Sequence, residues 1–238
     1  MSAKTDNVTS NPIAFSIAID GPTAVGKSVI GRALAKRLNL RFCDTGLLYR
    51  AATFAVLDAE IDIHAELLII NFLRDCKIDL RWNLPENPIV CVNGLDVTDN
   101  LRQPIIDSSV SAIAKLPPVR SLLVERQRNI AATSPVIMVG RDIGKVILPE
   151  AKTKLFLDAS IDERARRRYT DALAVGQSTT LNQIKESISL RDDSDNTGHR
   201  TIRRDQVLSD QIVIDTEPLS EAEVLDRCVS IYLDKVSG

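Results

Sequence analysis

Eight consecutive residues carry the clearest chemistry in this sequence: Gly21-Pro-Thr-Ala-Val-Gly-Lys-Ser28. They fit the pattern G-x-x-x-x-G-K-[ST], in which backbone N–H groups of a loop converge on phosphate oxygens at the start of a helix. The glycines permit backbone angles and close approaches that a side chain would block. The lysine can reach β- and γ-phosphates, and the serine hydroxyl can join the shell of Mg²⁺. The stretch predicts a nucleoside triphosphate site with Mg²⁺ at Ser28 and contacts from Gly21, Pro22, Thr23, Ala24, Val25, Gly26, Lys27 and Ser28.

The residues around this loop supply the strand and the helix that it requires. The apolar run at 15–20 predicts a buried parallel strand that ends at the loop. Apolar residues then recur at helical spacing, namely Val29, Ile30, Ala33, Leu34 and Leu38. The alternative is a plain glycine turn between two ordinary elements, which explains this order less well.

Strand and helix patterns then alternate along the chain. Further strands are predicted at 40–43, 135–140, 154–159 and 211–216. Helices are predicted from Leu47 to about Leu57, within 64–74, over 103–132 with a break near Pro117-Pro118, from 180 to about 195, and after 220. Ser160–Glu163 and Ser220–Glu223 match capping boxes at helix starts. The alternation predicts an α/β fold whose parallel sheet is covered by helices on both faces.

Residues 76–97 depart from this alternation. Ile78, Leu80 and Trp82 alternate with polar residues, as in a strand with one buried face. Asn93-Gly94 is the strongest short hairpin signal, because both residues tolerate a positive φ. The stretch predicts a small antiparallel sheet inserted into the parallel fold, and not a separate domain.

Length and composition limit the possible classes of protein. With 238 residues, 44% of them hydrophobic, the chain suits one α/β domain, predicted over 12–238 after a disordered polar tail at 1–11. A formal net charge of −2 argues against bulk nucleic-acid binding. No apolar run approaches the ~18 residues of a membrane span. The 4 cysteines and 2 histidines lack metal-site spacing, so we expect buried free thiols and a cytoplasmic protein.

Charged and polar residues follow three of the predicted strands, at the edge where open parallel sheets bind ligands. These are Asp44-Thr45, Arg141-Asp142 and Asp158. A charged pair such as Arg141-Asp142 directly after a buried strand suits a binding site better than a core. Arg50 lies in the helix after Asp44-Thr45, and a position on a solvated helix face explains it equally well.

An arginine-rich helix follows the third of these strands. Arg164 and Arg168 are four residues apart, so their guanidinium groups could converge on one polyphosphate. Arg191 and Asp195 repeat this spacing on the next predicted helix. The alternatives are a solvated face for the first pair and a simple ion pair for the second. The two predicted helices are joined by a loop around Gly176, and this pattern predicts a helical hairpin that closes over a nucleotide and excludes water.

Together these segments resemble the bacterial cytidylate kinases over about residues 14–234. The resemblance rests on Ile19-Asp-Gly-Pro22, Asp44-Thr-Gly-Leu-Leu-Tyr-Arg50, Asn93-Gly-Leu-Asp-Val-Thr98 with Arg102, Val139-Gly-Arg-Asp-Ile-Gly144, Arg164-Ala-Arg-Arg-Arg168 and Arg191-Asp-Asp-Ser-Asp195. It implies a nucleoside monophosphate kinase built on the P-loop NTPase core. It also implies a monophosphate-binding insert at about 62–103 and a helical lid at about 164–205.

The resemblance further implies roles for individual residues. Lys27, Arg141 and Arg168 would act in catalysis, and Arg164 and Arg168 would bind ATP together with the loop. The CMP site would use Thr45, Arg120 and Asp142 at the cytosine, Ser111, Arg191 and Asp195 at the sugar, and Arg50 and Arg141 at the monophosphate.

The lid departs from the family pattern Arg-Asp-x-Arg-Asp-x-x-Arg. Ser194 replaces the middle arginine, and Gly198 stands where the last one is expected. Counted back from Asp215, a two-residue insertion around Thr197-Gly198 brings Arg200 into the place of the last arginine. Arg200 is therefore assigned to CMP binding, and the departure places lid closure and phosphate affinity in question.

The implied reaction is ATP + CMP → ADP + CDP, with dCMP as a second acceptor, Mg²⁺ bound with ATP, and a monomeric enzyme. A phosphate oxygen of CMP is already anionic at neutral pH, so catalysis requires positioning and charge neutralisation and no general base. Two other functions stay open. One is a kinase of another small acceptor, such as UMP or shikimate. The other is a nucleotide-binding switch or scaffold, which would need an exposed apolar stripe that the sequence does not show.

Overall fold

The computed structural model describes residues 11–196 and 203–237. Within these residues the strands are β1 (Ile17–Asp20), β2 (Arg41–Asp44), β3 (Ile78–Leu84), β4 (Asn87–Val92), β5 (Leu95–Asp96), β6 (Val136–Val139), β7 (Thr153–Asp158) and β8 (Ile212–Asp215). Five of them form a parallel sheet in the order β2-β6-β1-β7-β8, which places the strand before the phosphate-binding loop in the middle. All five carboxyl ends therefore meet at one edge of the sheet.

The helices of the same residues are α1 (Lys27–Leu38), α2 (Thr45–Asp58), α3 (Glu66–Asp75), α4 (Pro104–Ala114), α5 (Pro117–Thr133), α6 (Ile161–Ala174), α7 (Leu181–Asn196) and α8 (Glu221–Ser237). Short 3₁₀ helices lie at Pro12–Phe15, Thr98–Arg102 and Arg204–Gln206, and a π-helical turn lies at Ile143–Ile147. The break between α4 and α5 falls before Pro117, as predicted. Because a proline lacks an N–H and fixes φ, it suits the first turn of a new helix.

The central strand shows why helices cover both faces of the sheet. Ile17 and Ile19 point into one apolar cluster and Ala18 points into the other, and all three are fully buried. The first cluster includes apolar residues of α1 and α8, and the second includes those of α2 and α5. A strand with two buried faces must be apolar throughout, which is the pattern the sequence shows. The predicted α/β fold is confirmed.

The insert is a three-stranded antiparallel sheet in the order β3-β4-β5. Asn93 has φ 50° and Gly94 has φ 87°, so the turn between β4 and β5 is the hairpin that these residues predicted. The insert docks on the edge of the parallel sheet. Phe42 of β2 donates its N–H to the Pro85 carbonyl oxygen at 2.8 Å, and the Trp82 indole N–H donates to the Phe42 carbonyl oxygen at 2.8 Å.

Helices α6 and α7 form the predicted hairpin. They pack on each other through a small apolar cluster made of Ala165, Ala172, Ile184 and Ile188. Gly176, between them, has φ 72° and follows the end of α6. The hairpin is therefore held by its own contacts and can carry charged side chains on the face toward the loop.

Several boundaries differ from the prediction. Residues 15 and 16 precede β1, because Pro12–Phe15 forms a 3₁₀ helix. The predicted disordered tail includes Asn11, but the Asn11 side chain accepts the Ile13 N–H at 3.1 Å and donates to Glu150 at 2.6 Å. The rest of the predicted tail, 1–10, lies outside the described residues. Helix α2 begins at Thr45, two residues before the predicted start, because the Asp44 carboxylate caps it by accepting the Gly46 N–H at 3.0 Å.

One of the two predicted capping boxes is complete. At the start of α8, the Glu223 carboxylate accepts the Ser220 N–H at 2.8 Å and the Ser220 hydroxyl accepts the Glu223 N–H at 3.3 Å. At the start of α6 only the second bond forms, from the Glu163 N–H to Ser160. The Glu163 carboxylate accepts hydrogen bonds from Arg166 and Arg167 instead, and the Ser160 N–H donates to the Glu217 carboxylate at 3.0 Å.

The remaining composition-based expectations concern thiols and the membrane. Cys43, Cys76, Cys91 and Cys228 are buried and free, as predicted. Among the helices that the structure describes, none combines the length and the apolar character that a membrane crossing demands.

Candidate active site

The loop at 21–28 lies at the carboxyl end of β1 and leads into the N-terminus of α1. A Cβ on Gly21 would lie 2.3 Å from the Leu157 carbonyl oxygen, so no other residue fits there. Gly26 has φ 97° and is the N-cap of α1. The strand, loop and helix thus occur in the predicted order, and the positive end of α1 faces the space above the loop.

Lys27 folds back onto its own loop. Its ammonium donates to the carbonyl oxygens of Gly21 at 2.7 Å and Pro22 at 2.6 Å. Burial of the ammonium, and next the repulsion from the Arg141 guanidinium, lowers the pKa of Lys27 to about 7, although three nearby carboxylates act in the opposite direction. Burial therefore works against the charged form of the Lys27 ammonium. Phosphate oxygens brought beside it would raise the pKa again.

Ser28 and Asp44 place two oxygen ligands side by side. The Ser28 hydroxyl donates to Asp44 Oδ2 at 2.7 Å, which links the start of α1 to the end of β2. Mg²⁺ prefers hydroxyl, carboxylate and water oxygens. The pair fits the Mg²⁺ predicted at Ser28, and it adds Asp44 as a candidate ligand.

Asp192 of α7 reaches the loop from the helical hairpin. Its Oδ1 accepts the Thr23 N–H at 3.1 Å, and its Oδ2 accepts Arg164 Nη1 at 2.7 Å. Arg164 also donates to the carbonyl oxygens of Thr23 at 2.9 Å and Ala159 at 3.2 Å. A carboxylate of the hairpin therefore occupies a loop N–H of the kind that binds phosphate.

Arg164 and Arg168, which are predicted to converge on one anion, have different surroundings in this structure, and their convergence stays a prediction. Arg164 is buried against the loop, whereas Arg168 is exposed. The i,i+4 spacing places the two residues on one side of α6, but the inner position is packed and the outer one is solvated.

Arg141 connects the loop to a second carboxylate of the hairpin, that of Asp195. Its Nη2 donates to the Thr23 hydroxyl at 2.7 Å, and its Nε lies 2.5 Å from Asp195 Oδ2. Asp195 is buried in this pair, and Arg191 is exposed. The ion pair of Asp195 thus reaches across to the strand end of β6 and does not depend on the helical spacing to Arg191.

The next residue, Asp142, is also buried and forms an ion pair with Arg120 of α5. Close by, the Thr45 hydroxyl donates to the Val139 carbonyl oxygen at 3.0 Å. Gly140 allows this approach, because a Cβ there would lie 2.5 Å from Thr45 Oγ1. Thr45, Arg120 and Asp142, which are separated by 22 to 97 positions along the chain, therefore lie near the ends of β2 and β6.

Arg50 is not on a solvated face. Its Nη2 lies 2.5 Å from Asp107 Oδ1, and its Nη1 donates to the Leu101 carbonyl oxygen at 3.0 Å, which ties α2 to the segment after the insert. Ser111 of α4 is exposed. Arg200 lies outside the described residues, as does the insertion assigned to 197–198.

A cavity of about 510 Å³ opens between the loop and the hairpin, on the side of β7. It is lined by charged residues and one proline, namely Pro22, Asp158, Arg164, Asp192, Arg203, Arg204 and Asp205. Because it borders the first residues of the loop, a molecule in it could extend its phosphates toward Lys27.

A family model described as cytidylate kinase matches residues 17–233. The chain belongs to the cytidylate kinase family. It is 43% identical to the cytidylate kinase of Geobacillus kaustophilus (strain HTA426) over 93% of this chain and 98% of that protein. It is 41% identical to the enzyme of the same name from Anoxybacillus flavithermus (strain DSM 21510 / WK1), over 94% and 98%. It is 38% identical to the cytidylate kinase of Lactiplantibacillus plantarum (strain ATCC BAA-793 / NCIMB 8826 / WCFS1) over 94% of this chain and 97% of that protein. The resemblance seen in the sequence is thereby confirmed.

The sequence patterns do not predict four polar residues of the candidate site. Asp192 holds the loop, Asp107 holds Arg50, and Asp20 and Gln211 bond to each other beneath the strand ends. Asp20 gives one usable signal, because it is a carboxylate at the end of an otherwise apolar strand and directly precedes the loop. Asp192 and Asp107 lie among other polar residues on helices, where spacing alone gives no reason to prefer them.

Proposed function

We propose that this enzyme transfers the γ-phosphate of ATP to CMP and dCMP, giving CDP and dCDP. The observation that carries the proposal is the ion pair between Arg120 and the buried Asp142, which directly follows Arg141 at the sheet edge where the phosphate-binding loop begins. One arginine at this edge can hold a monophosphate, and the adjoining pair can select the base that it carries.

The pair suits cytosine because it combines an acceptor with donors. The Asp142 carboxylate can accept the exocyclic amino group, and the Arg120 guanidinium can donate to the ring nitrogen and the carbonyl oxygen. Uracil presents a carbonyl oxygen where cytosine has the amino group, so the carboxylate would face another acceptor. Thr45, held beside Gly140, would close the pocket on one side.

The phosphoryl transfer needs charges that are already in place. Lys27 and Arg141 would neutralise the phosphate oxygens, and Arg50 would hold the acceptor phosphate from the opposite side. Bound with ATP, Mg²⁺ supplies further charge neutralisation, and Ser28 with Asp44 would hold it. The hairpin of α6 and α7 would exclude water, and the exposed Arg168 and Arg191 would turn inward as it closes on substrates.

The cavity bounded by Pro22, Asp158 and Arg204 would take the nucleoside part of ATP. The remaining site assignments, Ser111 and Asp195 at the sugar and Arg200 at the phosphate, stay proposals. So do the monomeric state and the cytoplasmic location.

The test is an ADP-release assay with ATP, Mg²⁺ and each of CMP, dCMP, UMP, AMP and GMP. We expect rapid turnover with CMP and dCMP only. Equal turnover with UMP or AMP would contradict the role of Arg120 and Asp142 in selecting the base, but it would not contradict the fold. No turnover with any acceptor would favour the nucleotide-binding switch, and shikimate in the same assay tests the remaining alternative.

The contact between Asp192 and the loop leads to a prediction about ATP affinity. Because Asp192 occupies the Thr23 N–H and holds Arg164, it competes with phosphate in the free enzyme. Replacing it by Asn removes the charge, and we expect ATP to bind about 3–10-fold more tightly in the absence of CMP, which is within the ~1.5 kcal/mol of one hydrogen bond. Isothermal titration calorimetry measures this. Asp193→Asn, at the exposed neighbouring position, is the control. Weaker binding by Asp192→Asn would show that Asp192 supports the ATP site.

A further inference from the structure

The carboxylate of Asp20, the last residue of β1, is buried among groups that belong to other segments. Its Oδ1 accepts the Ile143 N–H at 2.7 Å, and its Oδ2 accepts the Gly144 N–H at 2.9 Å. The Gln211 side chain donates to Oδ2 at 3.0 Å and to the Leu155 carbonyl oxygen at 3.1 Å. Only 3% of the residue is exposed. Burial raises the pKa of the Asp20 carboxyl, and the hydrogen bonds that both oxygens accept from N–H groups offset this only in part.

These two backbone N–H groups are the first ones of the π-helical turn at Ile143–Ile147, and Asp142 is its N-cap residue. The first N–H groups of a helical segment lack partners within it, and an aspartate at the N-cap normally supplies one by bending back to the second or third N–H. Asp142 makes no such bond. Its carboxylate forms the ion pair with Arg120 instead.

We infer that Asp20 is a positioning residue for base selection, because it caps the turn after Asp142 and so leaves the Asp142 carboxylate to Arg120 and the acceptor base. The inference rests on the proposed function, in which Asp142 and Arg120 contact cytosine. Without Asp20, the Gly144 N–H would need another acceptor, and the Asp142 carboxylate is the one that its N-cap position offers. The Gly144 N–H and the Arg120 guanidinium would then compete for the Asp142 carboxylate.

The experiment compares Asp20→Asn with Ser16→Ala. An asparagine has the same shape, but its amide nitrogen cannot accept one of the two backbone N–H groups. Ser16 lies just before the opposite end of β1, is fully buried, and likewise accepts a backbone N–H, from Val136 at 3.1 Å. Each variant loses one buried acceptor of a backbone N–H from another segment. Only Asp20 lies at the candidate site.

With ATP saturating, we expect Asp20→Asn to lower the ratio of kcat/KM for CMP to that for UMP by about 10-fold, which corresponds to the loss of one buried hydrogen bond. Ser16→Ala should lower Tm and leave the ratio unchanged. Each rate is measured well below the Tm of its variant.

A second variant covers the case in which Asp20→Asn does not fold. The methyl group of Gly144→Ala would lie 3.3 Å from Asp20 Oδ2, tight enough to displace the carboxylate slightly, and we expect a smaller loss of the same ratio. The inference is overturned if the wild type prefers CMP but Asp20→Asn, or Gly144→Ala where the first does not fold, keeps its CMP to UMP ratio. A wild type without preference for CMP overturns the proposed function itself, and the inference with it.

Discussion

Replacing Lys27 by Met is expected to lower kcat by roughly 10²–10³-fold and, at the same time, to stabilise the free enzyme at pH 6. The rate falls because the ammonium that would neutralise the transferred phosphate is lost. The stability rises because the ammonium is buried in the free site, where its pKa is lowered to about 7 from an ordinary value of 10.5. Its bonds to the carbonyl oxygens of Gly21 and Pro22 offset only part of this burial.

The dependence on pH has a definite sign. A lysine whose pKa is lowered by folding destabilises the folded state fully below pH 7, and the penalty declines as pH rises from about 7 to 10.5. We therefore expect Lys27→Met to raise Tm by roughly 3 °C or more at pH 6 and by less at pH 9. Thermal unfolding at both pH values, and kcat from ADP release, measure the two effects.

Lys36→Met is the matched control, because Lys36 is an exposed residue of the same helix. It should change neither kcat nor Tm. If Lys27→Met kept the kcat of the wild type, this would contradict the role of Lys27 in phosphoryl transfer. An equal loss of stability at pH 6 and pH 9 would show that the two carbonyl bonds outweigh the burial of the charge.

Much of the fold was predictable because the relevant signals are local. The apolar run at 15–20, the glycines of the loop and Asn93-Gly94 each determine a conformation within a few residues. The boundaries that were wrong depend on single contacts. Asp44 starts α2 early by capping it, and Glu217 takes the Ser160 N–H that a complete capping box would use.

The candidate site was predictable only in part, because its contacts join distant segments. The motifs place Arg141 and Asp142 at a strand end, but spacing along α7 does not show that Asp192 enters the loop or that Asp195 pairs with Arg141. The spacing along α6 likewise does not show that Arg164 is buried against the loop while Arg168 is exposed. The direction of a long charged side chain is decided by the partner that the tertiary fold brings near, and one chain's sequence does not specify that partner.

Asp142→Ala is expected to have the other large effect, a loss of roughly 10²–10⁴-fold in kcat/KM for CMP with KM for ATP changed by less than about 3-fold. A site built to hydrogen-bond a substrate discriminates strongly, since the loss of one partner leaves buried groups unpaired. Here Arg120 would lose its buried partner as well as the group that selects the amino function. Steady-state kinetics with each substrate varied in turn give both values.

Asp142→Asn keeps the size of the side chain, so it tests the hydrogen-bonding role of the carboxylate more specifically than Asp142→Ala does. The amide can present a donor where the carboxylate presents an acceptor, so it can meet the carbonyl oxygen of uracil. We expect the preference for CMP over UMP to fall by roughly 10–100-fold, the range of one to three kcal/mol for a base-reading contact. Arg120→Met should give a loss that is not additive with Asp142→Ala, because the two side chains form one unit. Additive losses, or equal effects on CMP and ATP, would mean that the pair supports the fold of the strand ends and does not contact the base.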